Sequence, residues 1–141
     1  MSLEENQAVV RRYFEEVWSR GNLAIVDELT VPDFVRHSTT TPGGVQGHDA
    51  FKAYVTRNRA AFQDFHVTVD DVFAAGEKVA VRWTGHGIHR GEYAGIAPTD
   101  KPVSVTGINI LRLAGGKLVE EWMNFDALGL QQQLMATAAA R

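Results

Sequence analysis

The sequence predicts an α+β fold in which three helices come first and pack on a strongly curved, mostly antiparallel sheet. Three observations predict it. Apolar residues recur at three-to-four spacing as far as Phe62, the period changes to two from His66, and a Gly115-Gly116 pair joins two of the later runs as a tight hairpin. A sheet with helices on one face can curl around its own concavity and leave a pocket there.

Ser2-Leu3-Glu4-Glu5 has the spacing of a capping box, and Val9, Val10, Tyr13, Phe14, Val17 and Trp18 then form a wide apolar stripe. That helix should stop near Gly21. Asn22 can cap a short second helix with Ile25, Val26 and Leu29 inward, ended by Pro32. Phe34 to Ser38 reads as a short extended run carrying His37. Thr39 to Gly47 reads as a Thr/Pro/Gly loop and a mobile rim. Phe51, Tyr54, Val55 and Phe62 describe a third helix from Asp49 to about Phe62.

His66 to Ala75 reads as a strand, Gly76-Glu77 as a turn and Val79 to His89 as its partner, so Asp71 opposes Arg82. A long connection from Arg90 to Pro102 leads into the hairpin Val103 to Asp126. The tail has Leu130, Leu134 and Met135 at helical spacing and is expected to fray into alanines.

The chain has 141 residues, which suits one domain over 1–141. Its 45% hydrophobic and 22% charged content is that of a soluble globular protein. A net charge of -3 without a basic cluster gives no footprint for nucleic acid or an anionic membrane. No apolar run approaches the ~20 residues of a membrane span. The acidic, polar start MSLEENQ does not read as a secretory signal, so a cytoplasmic location is expected. With no cysteine there is no disulfide, thiolate nucleophile or Cys-ligated zinc, and the five histidines show no metal-binding spacing.

If the turn is Gly115-Gly116, opposed residues have numbers summing to 231. Asn109 then faces Trp122, Gly107 faces Asn124 and Val105 faces Asp126. One face gathers Gly107, Asn109, Leu111, Trp122, Asn124 and Asp126, and Glu121 falls on the other. A slip of one residue would exchange them. An aromatic wall with a few polar groups and one carboxylate suits a small-molecule pocket.

The stretches YFEEVWSRGN, RWTGHGIHRGEYAGIAPTDKPVSVTGINILRL and GGKLVEEWMNFDALGLQQQL resemble the SnoaL-like polyketide cyclase family, within the nuclear-transport-factor-2-like superfamily of cone-shaped α+β domains. The resemblance spans nearly the whole chain. It implies intramolecular aldol closure of a polyketide-like ester with neither metal nor organic cofactor. An Asp at the position of Asp126 would take a proton next to a carbonyl, and His89 would match a family histidine. The chain has Pro98-Thr99-Asp100 where Pro-Thr-Gly is common, and Glu121 where a His often precedes the Trp.

Asp126 is therefore the expected base, its carboxylate raised by apolar neighbours, although Asp is also a favoured helix cap. His37 is the expected general acid or oxygen-binding partner. Asn109 offers an amide to an enolate oxygen. Arg82 could hold a carboxylate or ester, with a structural ion pair to Asp71 as its other reading. Trp122, Trp18, Phe14 and Tyr54 are expected to wall the pocket, and no role is assigned to His48, His66 or His86. The expected ligand is a small hydrophobic or aromatic metabolite, and the expected assembly is a homodimer through the outer sheet face. A non-catalytic binding module of the same fold is the alternative. Epoxide hydrolysis would need an Asp-Arg-Asp set that Asp71 and Arg82 alone do not make.

Overall fold

A computed structural model describes residues 1–139. Helix α1 (Leu3–Arg12) starts on the expected capping box. Ser2 Oγ accepts the Glu5 N–H at 3.0 Å, and Glu5 Oε1 accepts the Ser2 N–H at 3.0 Å. The helix then widens into π-type turns over Tyr13–Ser19, and Tyr13, Phe14, Val17 and Trp18 in that segment are all buried. Helix α2 (Ala24–Leu29) lacks the expected Asn22 cap. Leu23 stands at its start, and the Asn22 amide reaches back to Glu16 at 3.5 Å.

Strand β1 (Thr30–Ser38) begins before the expected Phe34 and contains Pro32. Strand β2 (Thr41–Gln46) occupies the segment expected to be a loop. It pairs antiparallel with β1 at the sheet edge, passing through Gly43 and Gly44 at positive φ. Only Val45 of this strand is buried, so no period-two pattern marked it. Helix α3 (His48–Ala61) agrees with expectation within a residue at each end. Strands β3 (Phe62–Ala75), β4 (Lys78–His89), β5 (Pro102–Ala114) and β6 (Lys117–Phe125) follow, then helix α4 (Ala127–Ala139). Where fraying into alanines is expected after Met135, the helix continues to Ala139, and residues 140 and 141 lie outside the described residues.

The six strands run β2-β1-β6-β5-β4-β3. Only the β1–β6 pair, next to the edge strand β2, is parallel. The sheet curls without closing, and the helices fill its concave side. Tyr13, Trp18, Phe34, Phe51 and Val55 meet Val81, Leu111 and Leu118 in the main core. Leu130 and Leu134 of α4 dock on Ala61, Phe62 and Val103 in a second cluster. Among the described residues, no helix is long and apolar enough to cross a membrane.

The last hairpin corrects the expected register. Gly115 and Gly116 have φ of 58° and 80°, so the turn is where the sequence placed it, and Leu113 faces Leu118. Beyond that pair, Arg112 faces Glu120, which leaves Val119 as an extra residue in β6. The bulge moves every later pair by one, so Asn109 faces Met123 and Ile110 faces Trp122. Glu121, Met123 and Phe125 therefore point into the concavity, while Glu120, Trp122 and Asn124 point out.

Candidate functional site

A cavity of about 450 Å³ opens between the helices and the concave sheet. Phe14, Trp18, Tyr54, Phe65, Trp83 and Tyr93 wall it, and the exposed Thr40, Arg57 and Gln131 mark its open side. Arg36 and Asn109 are its buried polar lining. Among the described residues, none of those lining it is acidic.

Behind that lining lies a buried polar network. Glu121, fully buried, accepts from Tyr13 Oη at 2.7 Å and Arg36 Nε at 2.9 Å on one oxygen, and from Asn109 Nδ2 at 2.7 Å on the other. Asn109 Oδ1 in turn accepts the Trp83 Nε1–H at 2.8 Å. The indole can only donate, which fixes the Asn109 amide and leaves Glu121 to accept on both oxygens. Burial alone would lower the Arg36 guanidinium. The Glu121 charge, helped by Tyr54 and Tyr13, more than offsets that and holds it above its ordinary range, a permanent cation. Burial first, and the Glu121 charge second, push the Tyr13 phenol well up, so it stays a neutral donor. Burial, then Tyr54, also raises Tyr93.

The expected site residues divide between the two faces of the sheet. Trp18, Tyr54, Phe14 and Asn109 line the cavity, although both ends of the Asn109 amide are taken by Trp83 and Glu121. Trp122 lies on the outer face, stacked on the His37 ring at 5.7 Å between centroids. His37 is outside with it, and its Nε2 lies 2.6 Å from Glu120. This corrects the expectation that both help to form the pocket. Arg82 is also outside. It faces Asp71 in register as expected, but its nearest carboxylate is Asp70, in the bulge before Asp71, at 4.0 Å. His89 is fully buried beside the cavity rather than in its lining. Its Nδ1 accepts the Thr99 N–H at 3.2 Å, and its ring tilts against Phe62.

Asp126 is exposed, and its Oδ1 accepts the Gly129 N–H at 2.8 Å, so it caps α4. It stands between two lining residues, Phe125 and Ala127, without itself being one. The residues that sequence reasoning missed are Arg36, Tyr13 and Glu121. Alternation from Phe34 would have turned Arg36 inward, whereas the bulge hid Glu121. Among the described residues, no group of three or more His, Asp or Glu side chains is placed to hold a metal ion.

The fold matches that of known proteins. A candidate polyketide cyclase from Acidithiobacillus ferrooxidans superposes with a TM-score of 0.87 at 28% identity, over 97% of this chain and 99% of that one. AclR, a candidate hydroxylase from Streptomyces galilaeus, gives 0.83 at 27% over 96% and 98%. IdmH, a candidate polyketide cyclase from Streptomyces antibioticus, gives 0.79 at 28% over 92% and 97%. No curated protein matches the chain in sequence. The sequence profile of the SnoaL-like polyketide cyclases matches residues 8–134, and the chain belongs to that family.

Proposed function

We propose that the chain binds a small aromatic or polyketide-like carbonyl compound in the aromatic cavity. It then promotes proton removal next to the carbonyl without metal or organic cofactor, a cyclase- or isomerase-type reaction. The observation that carries this reading is the aromatic cavity with Arg36 in its lining. Such a wall supplies shape and apolar contact, and a buried cation favours the oxygen on which charge develops. In this reading Asp126 at the rim takes the proton. One of its oxygens holds the Gly129 cap bond, and the other is available as base.

A second reading, a non-catalytic binding module, is favoured by the absence of acidic lining residues among those described and by the capping role of Asp126. Deuterium exchange at the α-carbon of 2-tetralone, followed by NMR, separates the two. Exchange catalysed by the wild type and lost in Asp126→Asn, with binding kept, supports the enzyme. Binding without exchange in both proteins supports the module. Neither binding nor exchange would sink both readings.

A homodimer through the outer sheet face and a cytoplasmic location belong to the same proposal. Phe73, Ile108 and Ile110 are exposed on that face and support the dimer. Sedimentation of wild type and Ile108→Lys tests it, a monomeric wild type being the result against it. Subcellular fractionation checks the location.

A further inference from the structure

The loop between β4 and β5 is held at both feet and free in between. At its start, the Arg90 and Gly91 N–H groups both donate to the Ala61 carbonyl, at 3.1 and 3.0 Å. Gly91 packs so closely on Ala60 and Ala61 that a Cβ there would collide with their backbone. At its end, the fully buried His89 takes up the returning chain. Its N–H donates to the Lys101 carbonyl at 2.9 Å, and its carbonyl accepts the Asp100 N–H at 2.8 Å. Its ring Nδ1 accepts the Thr99 N–H at 3.2 Å, which puts the proton of the neutral ring on Nε2. Between these feet, the backbone of 92–98 makes no hydrogen bond to the rest of the chain among the described residues. Tyr93 and Ile96 bond to each other, at 3.1 and 2.8 Å, around a turn in which Ala94 and Gly95 have φ of 49° and 81°. Asp100, where the family commonly has Gly, is also left-handed, at φ of 60°.

We infer that residues 92–98 are a lid on the cavity, and that His89 is the positioning residue that holds it shut. Tyr93, Ala94 and Ile96 belong to the cavity lining, and Ala94 is exposed, so the tip reaches the open side marked by Thr40, Arg57 and Gln131. Side-chain packing keeps the tip down, with the Tyr93 ring against Phe62 at 5.1 Å between centroids. A segment bonded to itself and not to the body opens at low cost and as a unit. The feet set how far it opens. Any side chain at position 89 would keep the two backbone bonds, whereas the bond to the Thr99 N–H depends on the ring. Its loss frees the chain up to the left-handed Asp100, and such a position is where a hinge absorbs its backbone change. That a ligand passes the lid rests on the cavity being the ligand site. The lid itself does not.

Amide hydrogen exchange, resolved by NMR, tests the lid without a ligand. In the wild type the Tyr93 and Ile96 amides should share one opening equilibrium and exchange at least about tenfold faster than the Leu111 amide in the core. His89→Leu keeps an apolar side chain in the buried site and removes the ring acceptor. It should speed exchange at Thr99, Tyr93 and Ile96 by about tenfold, the worth of one hydrogen bond, with Leu111 unchanged. His89→Asn, whose Oδ1 can replace Nδ1 as acceptor, should restore slow exchange at Thr99. Tyr93 and Ile96 as slow as Leu111 in the wild type, a comparison that needs no variant, would overturn the lid. A rise that Leu111 shares equally would overturn the role of His89 and leave it a general contributor to stability. With 2-acetylnaphthalene, NMR line shapes give association and dissociation rates, and both should rise at least about threefold in His89→Leu because the lid gates entry as well as exit. An unchanged association rate would overturn the gate. If the probe does not bind the wild type, the ligand reading of the cavity fails, and the exchange rates still decide the lid.

Discussion

Glu121→Gln should be among the most destabilising single substitutions of a polar residue in this chain, and the hydrogen-bond directions say why. Trp83 Nε1 and Arg36 Nε are donor-only, and Asn109 presents Nδ2 to residue 121 because Trp83 holds its oxygen. A glutamine there must turn its own N–H₂ toward either Arg36 or Asn109, so one donor faces another in both orientations. It also leaves the buried Arg36 cation without its counter-charge. Breaking a buried pair from one side costs about 3–5 kcal/mol, a large part of the roughly 5–15 kcal/mol that holds a domain together. Arg36→Met should cost a similar amount, since it strands the carboxylate instead.

The double variant Arg36→Met/Glu121→Gln removes both charges and leaves no donor facing another. It should be more stable than either single variant by at least about 2 kcal/mol, a non-additivity expected for residues in contact or in one hydrogen-bond network. Urea unfolding of the four proteins, followed by tryptophan fluorescence, reads these differences. Loss of less than about 1 kcal/mol in Glu121→Gln, or a double variant no better than the worse single one, would refute the network.

Three further outcomes follow from local geometry. A Cβ on Gly107 would lie 2.6 Å from Cε2 of Trp83, so Gly107→Ala must displace the indole that holds Asn109. Thermal unfolding should show a loss of about 1–3 kcal/mol. Asp126→Ala should cost about 1 kcal/mol through the lost α4 cap, whereas Asp126→Asn should leave thermal stability nearly unchanged. On the outer face, the His37 hydrogen bond, with Arg112 behind it, holds the Glu120 carboxyl below its usual range despite partial burial. A depressed folded-state pKa gives stability that is complete above the unfolded value of about 4 and is lost as pH falls through the folded one. Glu120→Gln should therefore flatten the acid limb of the urea midpoint below about pH 4, by under about 1 kcal/mol for so accessible a pair.

Local pattern was enough where one face of an element is buried and the other wet. The α1 capping box, the α3 stripe, the β3–β4 turn and the Gly115-Gly116 turn all stand where the residues put them. It failed where burial has no period. The edge strand β2 has one buried residue and reads as loop. It failed again at the Val119 bulge, for a different reason. In the run from Leu118 to Phe125 apolar and polar residues do not alternate cleanly, and two adjacent acids, Glu120 and Glu121, fit either face. Nothing local decides which of them turns inward, and the choice of face for Trp122 goes with it.

The residues at the centre of the site are also those least accessible to local reading. Tyr13 comes from the π-widened end of the first helix, Arg36 from β1 and Glu121 from β6. The last two are direct neighbours only because β1 and β6 pair in parallel, 85 residues apart in sequence. Each would be a poor core residue alone, and the set is tolerable because nearly all of its donors and acceptors meet. An apolar trio of similar volume would stabilise the fold at least as well. A network kept at that cost, with Arg36 and Asn109 both in the lining of the cavity, is better explained by what enters the cavity than by what holds the fold together.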